Sequence, residues 1–154
     1  MKKWIILLLT IFVVALITSC TGKNIPEDLE LQLVPAKGYE GAAKGTAVIK
    51  SGSDVSLDIT GLTPGETYTA YFVNVKSQMF EGIGDEPYVL PVDSNGAVKC
   101  DLKITKDIYK KFVRLGIFLN PGKEPIKNPL GVKAALGELV KKKTPKMILE
   151  ANLR

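Results

Sequence analysis

Apolar and polar residues alternate along much of the chain after residue 28. In 29–33 and 55–60 every second residue is apolar, which is typical of a β-strand with one buried face. The same alternation, or a run of β-branched and aromatic residues, predicts further strands at 46–50, 67–76, 88–92, 97–104, 114–120 and 147–153. Turn sequences at 51–54 and 93–96 join four of these strands into two hairpins. The pattern therefore predicts a mainly β chain of seven or eight strands.

Helical spacing of apolar residues occurs late in the chain. In 130–142 the apolar positions recur at i, i+3, i+4, i+7 and i+8. They are Val132, Ala135, Leu136, Leu139 and Val140. Pro145 ends this segment. A shorter segment, 107–113, has room for one or two helical turns, so we expect one main C-terminal helix beside the strands.

The segment 62–68, Leu-Thr-Pro-Gly-Glu-Thr-Tyr, lies between two predicted strands. Pro64 and Gly65 turn the chain, and Leu62 is placed to enter the core. The Tyr68 hydroxyl can reach backbone upstream, as in the tyrosine corner of Greek-key sandwiches. With the strand pattern, this corner predicts an immunoglobulin-like β-sandwich with Greek-key connections.

Residues 45–73 contain a hairpin, the sequence Gly-Leu-Thr-Pro-Gly and a long strand, in that order. The corner resembles that of fibronectin type III domains. Its position in the chain is more similar to that in C-terminal domains of anti-sigma factors and in Cu/Zn superoxide dismutase-like or chordin-like sandwiches. The resemblance implies a fold. It does not imply dismutase chemistry, because the metal ligands of that family are mostly histidines and this chain has none.

The first nineteen residues have the three parts of an export signal. Two lysines precede an uncharged apolar stretch, 4–17, and small or hydroxylated residues follow it. The stretch is shorter than the roughly twenty apolar residues of a membrane-spanning helix. Its end, Ile17-Thr18-Ser19-Cys20, resembles the lipobox of bacterial lipoproteins.

The lipobox resemblance implies that Cys20 is the mature N-terminus and carries a thioether-linked diacylglycerol, usually with an amide-linked chain as well. Two or three fatty chains attach a protein lastingly to a membrane. The alternatives are a retained helical anchor and an ordinary cleaved signal that leaves Cys20 free. With the lipobox, the chain divides into a signal helix at 1–19, the lipidated cysteine and a tether at 20–28, and a β-sandwich domain at 29–154.

The same resemblance implies a location in the bacterial cell envelope. Thr21 stands where lipoproteins retained in the inner membrane of enteric bacteria have Asp. In a Gram-negative cell this favours the outer membrane, facing the periplasm or the surface. The expected partner is the membrane, bound through the lipid anchor, with another envelope protein or polymer as a further candidate. Nucleic acid is a poor partner for an exported chain.

The composition removes several chemistries. The chain has no histidine, and therefore lacks the commonest general base and the usual zinc ligand. Once Cys20 is lipidated, Cys100 has no partner for a disulfide, and the alternation around it predicts a buried, inert thiol. We therefore expect no catalytic residue, no bound metal and no cofactor.

Charge is divided unevenly along the chain. Residues 20–98 hold 5 basic and 11 acidic side chains, whereas 99–154 hold 14 basic and 5 acidic ones. Strands from the two halves intermix in a sandwich, so we expect the opposite charges to neutralise each other across the sheets. The alternative is that a basic cluster faces anionic lipid headgroups or an acidic envelope polymer. That cluster consists of Lys141, Lys142, Lys143 and Lys146.

Three carboxylates and two glycines follow the long strand 67–76. Glu81, Asp85 and Glu86 could form a weak calcium site or a polar ligand-binding loop. An exposed, solvated loop is the simpler interpretation. Nothing in the pattern places two of these carboxylates opposite each other.

The leading functional hypothesis is a lipid-anchored, non-catalytic binding, assembly or structural module of the cell envelope. The alternative is a loop-based enzyme or a calcium-dependent ligand-binding domain that uses the acidic loop 81–86. A carbohydrate-binding module is a second alternative. Because the mature part has no Trp, such a module would have to present Tyr39, Tyr71 and Tyr88.

Overall fold

One curled sheet of eight strands forms the computed structural model, which describes residues 28–50, 53–125, 129 and 146–153. Every strand is antiparallel to its neighbours, and the spatial order is β5-β4-β7-β8-β1-β2-β3-β6. The strands are β1 (Leu29–Pro35), β2 (Lys44–Lys50), β3 (Asp54–Thr60), β4 (Thr67–Asn74), β5 (Met79–Gly82), β6 (Val98–Lys103), β7 (Arg114–Asn120) and β8 (Lys146–Asn152). The mainly β prediction is confirmed.

The alternation in the sequence appears as alternating burial in β3. Val55, Leu57 and Ile59 are buried, whereas the residues between them face outward. Strand β4 differs, because every residue from Tyr68 to Val73 is buried. Its inner side chains join the main core, and Tyr71 and Val73 join a second apolar cluster with Phe118. Because both faces of β4 are covered, its sequence does not alternate between apolar and polar residues.

Strand β1 connects the two halves of the sheet. Its first five residues pair with β2, and Val34 and Pro35 pair with β8. The two outer edges of the curled sheet also approach each other, since the Gly84 N–H donates to the Lys103 carbonyl at 3.1 Å. The main core takes side chains from both halves, including Leu57 of β3 and Ile117 of β7.

Antiparallel pairing gives the sheet two defined ends. We call the end at which β1 begins the Leu29 end, and the opposite one the Pro35 end. Strands β3, β5 and β7 also begin at the Leu29 end, and β2, β4, β6 and β8 finish there. The chain from β6 to β7 crosses this end through a 3-10 helix, Ile108–Lys111. Phe112 follows it, is buried, and stacks on Phe72 with ring centroids 6.0 Å apart.

Near the acidic loop, one strand prediction is wrong and one strand was not predicted. The predicted strand 88–92 contains a single bridge, between Val89 and Thr69. Pro87 and Pro91 flank it, and neither has a backbone N–H with which to extend a ladder. Strand β5 was not predicted, because its four residues, Met-Phe-Glu-Gly, are too short to show a period.

Several predictions fall outside the described residues. They are the signal helix at 1–19, Cys20 and nearly all of the tether, and the C-terminal helix at 130–142. Among the residues that the structure describes, the helices are short 3-10 turns, Ile108–Lys111 and Pro121–Lys123. None of this described part forms a helix with the length and apolar character needed to cross a bilayer.

Candidate functional site

The three acidic residues of 81–86 do not share one environment. Glu81 lies in β5, whereas Asp85 and Glu86 lie in the turn beyond Gly84. All three are exposed. Within 28–50, 53–125 and 146–153, no three His, Cys, Asp or Glu side chains come together in a group that could hold a metal ion. The arrangement is that of a solvated loop and gives no support to the calcium alternative.

The turn after β5 folds back tightly on the sheet. Gly84 has a φ of +89°, a backbone region that favours glycine. The Tyr88 N–H donates to the Asp85 carbonyl at 2.7 Å. The Tyr88 ring lies directly over Gly82, in the space that a Cβ would fill. These contacts direct the loop against β4 and leave the carboxylates of Asp85 and Glu86 outside.

Tyr71 is the centre of an aromatic cluster on the outer face of β4. Its ring makes edge contacts with Phe80, Tyr88 and Phe118, at centroid distances of 6.1, 5.5 and 5.9 Å. Only 1% of Tyr71 is exposed. Burial, and then the neighbouring Tyr88 and Glu86, raise the pKa of Tyr71 to about 12. The phenol therefore stays neutral at any physiological pH.

The tyrosines proposed for sugar binding do not form a common platform. Tyr71 is buried and offers no ring face, while Tyr88 is only half-buried and packs against it. Tyr39 packs against the main core instead of this cluster. The Lys146 Nζ lies 5.7 Å from the Tyr39 ring centroid, which places a cation over that ring.

A surface depression of about 290 Å³ lies where the two sheet edges meet. Of the three acidic residues in 81–86, it includes Glu81 alone. Its basic residue is Lys103, whose Nζ lies 2.6 Å from an oxygen of Asp54. The hydrogen bond to Asp54 raises the pKa of Lys103. The depression thus presents the carboxylate of Glu81, which makes no ion pair with another described residue, and one lysine that already has a partner.

A second depression, of about 380 Å³, lies on the outer face of β2, β3 and β6. Ion pairs cross this face, with Lys50 3.1 Å from Asp101 and Lys99 3.7 Å from Asp58. The hydroxyl of Ser56 donates to Asp101. That hydrogen bond, and then Lys50, hold the pKa of Asp101 below its usual value. The charged side chains Lys50, Asp58, Lys99 and Asp101 of this face are therefore paired with one another.

These ion pairs join the acidic and basic halves of the chain. Asp54 and Asp58 come from the acidic half, and their partners Lys103 and Lys99 come from the basic half. Antiparallel pairing of β3 with β6 places each Asp opposite its Lys. The opposite charges of the two halves thus neutralise each other here, although between neighbouring strands on one face and not across two sheets.

Cys100 lines the same depression from below. It is half-buried, packs against the main core, and is a free thiol among the described residues. Burial, and then the Asp101 carboxylate, raise its pKa. A thiol with a raised pKa is a poor nucleophile, which agrees with a structural role for this residue.

The corner at 62–68 has the expected contact. The Thr63 N–H donates to the Tyr68 hydroxyl oxygen at 3.0 Å. Leu62 and Tyr68 are both buried in the main core. Pro64 and Gly65 form the turn, and Gly65 has a φ of +77°. The corner connects β3 to β4, which lie in different halves of the sheet.

The basic cluster predicted for membrane contact is described only at its last member. Lys141, Lys142 and Lys143 lie outside the described residues. Lys146 begins β8, at the Pro35 end of the sheet. The chain enters β1 from the opposite end. Lys146 is therefore at the opposite end of the sheet from Leu29, the first residue of β1.

The Leu29 end carries features that the sequence pattern did not predict. Three apolar side chains are exposed there, Val75 at 52%, Met79 at 42% and Val113 at 36%. Four exposed lysines lie in the same region: Lys76, Lys106, Lys110 and Lys111. In the sequence these residues are dispersed over 75–113. Only knowledge of the strand directions would have predicted that these residues lie at one end of the sheet.

Comparison with known proteins identifies no relative. No protein-family profile, no curated sequence and no solved structure matches the chain. The arguments for fold and function therefore rest on the residues and contacts described above.

Proposed function

We propose that this chain is a lipid-anchored protein of the bacterial cell envelope, whose β-domain acts as a non-catalytic binding, assembly or structural module. One observation carries the proposal. The lipobox-like sequence Ile17-Thr18-Ser19-Cys20 follows an apolar leader and stands just before a folded domain, whose first strand begins at Leu29. A leader, a modifiable cysteine and a short polar spacer before the first strand are the parts that such an anchor requires.

The chemistry of the domain supports a non-catalytic role. Carboxylates on the outer face, such as Asp58 and Asp101, are held in ion pairs with lysines. The buried Tyr71 is kept neutral, and the Cys100 thiol has a raised pKa. General acid–base or nucleophilic catalysis needs a group whose pKa is tuned towards the working pH. The pKa values of Tyr71 and Cys100 are instead shifted upward, away from physiological pH.

We also infer that the two halves of the curled sheet pack face to face as a Greek-key β-sandwich. Strand β1 pairs with both halves, and the core combines side chains from both. The hydrogen bond between Thr63 and Tyr68 supports this architecture, because such corners occur where a chain passes between sheets.

The two cysteines allow a matched test of the anchor. Cells expressing the full chain are labelled with radioactive palmitate, and the protein is analysed by mass spectrometry. We expect wild type and Cys100→Ala to incorporate label and to lose residues 1–19. Cys20→Ala is expected to incorporate no label and to keep its leader, because the modified sulfur is required for both steps. Label in Cys20→Ala, or a wild-type Cys20 without acyl chains, would refute the proposal.

A further inference from the structure

The Leu29 end of the domain has an apolar patch. Val75 follows β4, Met79 begins β5 and Val113 immediately precedes β7. These three strands are neighbours in the order β5-β4-β7, and the Val113 N–H donates to the Val73 carbonyl at 3.2 Å. The three exposed side chains therefore lie at the same end of three neighbouring strands. Burying such half-exposed apolar side chains against an apolar or interfacial surface lowers the free energy.

Lysines surround this patch. Lys76 is in the turn between β4 and β5, and Lys106 and Lys111 are in the segment that crosses the end. In the described part of the chain none of these three makes an ion pair.

Two acidic residues of the same end already have lysine partners. Asp54 is paired with Lys103, and Asp107 with Lys110 at 3.0 Å. Asp28, Glu30 and Glu81 are further carboxylates at or near this end. The side formed by β5, β4 and β7 therefore combines exposed apolar side chains with lysines that make no ion pair in the described part of the chain, as surfaces that bind anionic membranes do.

The length of chain before β1 limits the distance between this end and the anchor. Nine residue steps separate Cys20 from Leu29. Such a segment spans at most about 30 Å whatever its conformation. The Pro35 end, with Lys146, is farther from the anchor by the length of a seven-residue strand, about 20 Å. If Cys20 holds acyl chains in a membrane, the Leu29 end is the end nearer to the headgroups, whereas contact through the Pro35 end would require this segment to stretch along the whole length of the domain.

We propose that the Leu29 end rests on an anionic lipid surface, with Val75, Met79 and Val113 in the headgroup region and Lys76, Lys106 and Lys111 against lipid phosphates. The inference rests on the proposed lipid anchor. It replaces the basic cluster around Lys146 as the membrane contact. The domain would then stand upright on the bilayer, and its Pro35 end, with the corner at 62–68, would point away from the membrane.

Single tryptophans can test this orientation. The only Trp of the chain, Trp4, lies in the leader, so the mature lipidated protein has none. Met79→Trp and Val113→Trp each place one fluorescent indole at the Leu29 end. Val34→Trp is the matched control, because Val34 is at least as exposed as the two test sites, at 51%, but lies towards the Pro35 end. All three sites are on the surface, and circular dichroism checks that each variant folds.

The lipidated variants are reconstituted into vesicles of phosphatidylcholine alone or with about one third phosphatidylglycerol, both containing brominated acyl chains. In the anionic vesicles we expect bromine to quench Met79→Trp and Val113→Trp at least about twofold more strongly than the Val34→Trp control. In the Met79→Trp background, replacing Lys76, Lys106 and Lys111 with Glu is expected to reduce quenching to the level of the control. Pure phosphatidylcholine is expected to give the same low level.

The outcomes separate the inference from the proposal on which it rests. Mass spectrometry of the same samples reports whether Cys20 is acylated. An unmodified Cys20 overturns the anchor itself. If Cys20 is acylated, three results overturn the inference and leave the anchor intact. The first is equal quenching in all three variants, and the second is strong quenching only in Val34→Trp. The third is quenching that changes neither with lipid charge nor with the lysine substitutions.

Discussion

Individual residues make the turns of this domain specific. In the turn at 93–96, the Asp93 carboxylate accepts hydrogen bonds from the N–H groups of Asn95 and Ala97, both at 2.8 Å. These bonds, with that to Ala97 as the largest cause, lower the pKa of Asp93. Gly96 completes the turn with a φ of +75°, and the Leu62 N–H donates to its carbonyl at 3.0 Å. This small turn thereby holds the tyrosine corner in place.

Two glycines with almost the same φ allow the cost of crowding to be measured. At Gly96 a Cβ would collide with the Leu62 carbonyl, whereas at Gly65, with a φ of +77°, it would meet nothing within 4 Å. We expect Gly65→Ala to lower the free energy of unfolding by about 1 kcal/mol, the cost of the left-handed backbone. Gly96→Ala has the same cost plus the collision and is expected to lose at least about 2 kcal/mol more.

Urea unfolding of both variants measures this difference. If the two substitutions cost the same, the close approach between Gly96 and Leu62 is absent in solution.

At the scale of elements, periodicity predicted the long strands well and the short elements poorly. Strands β2, β3 and β7 were predicted within a few residues, since each extends over seven residues with clear alternation or a β-branched or apolar run. Strand β5 has four residues and is held by pairing with β4, so its own sequence contains little signal. The error at 88–92 has a different cause, because prolines there prevent a ladder although Leu90 is buried in the core.

The segment that crosses the Leu29 end packs against the core although little of it is regular secondary structure. Only four of its residues form a 3-10 helix, yet Phe112 is buried in the main core beside Phe72. We expect Phe112→Ala to lower the free energy of unfolding by about 3–5 kcal/mol, through lost burial and the cavity left behind. Phe80→Ala is the control, because Phe80 is only partly buried on the edge strand β5.

We expect the Phe80 variant to lose about 1–2 kcal/mol, in proportion to its smaller burial. The chemical-denaturation midpoints of the two variants give the comparison. A smaller loss for Phe112 than for Phe80 would mean that the crossing segment does not close the core.

For the whole molecule, the aromatic cluster links stability to alkaline pH. The pKa of Tyr71 is about 12 in the folded protein, against 10.0 for an unperturbed tyrosine. Between these values the unfolded chain loses the phenolic proton and the folded protein keeps it. The stabilisation from Tyr71 is therefore fully present below pH 10 and is lost as the pH rises through 12.

Replacing Tyr71 with Phe removes this titration. We expect the unfolding free energy of Tyr71→Phe to fall less steeply with alkaline pH than that of wild type. Tyr109→Phe, which removes a half-buried tyrosine outside the cluster, is the control for the loss of one phenol from the domain. Denaturation series across the alkaline range give the slopes. Parallel curves for all three proteins would show that Tyr71 ionises normally.

Sequence reasoning could place candidate residues on strands and turns, but not beside one another. Glu81, Asp85 and Glu86 are neighbours in the chain, and the end of β5 separates them in space. Val75 and Val113 are far apart in the chain, and the pairing of β4 with β7 brings them together. The contact of Lys146 with Tyr39 likewise depends on where β8 begins.

Local pattern was enough to establish a β-rich fold, because strand alternation and turn chemistry depend only on neighbouring residues. The leader and the lipidation of Cys20 stay predictions from the sequence. Strand order and direction depend instead on which distant apolar faces can be buried together, a property of the packed core. The tertiary structure therefore decided which charges pair across β3 and β6, and which side chains meet at the Leu29 end.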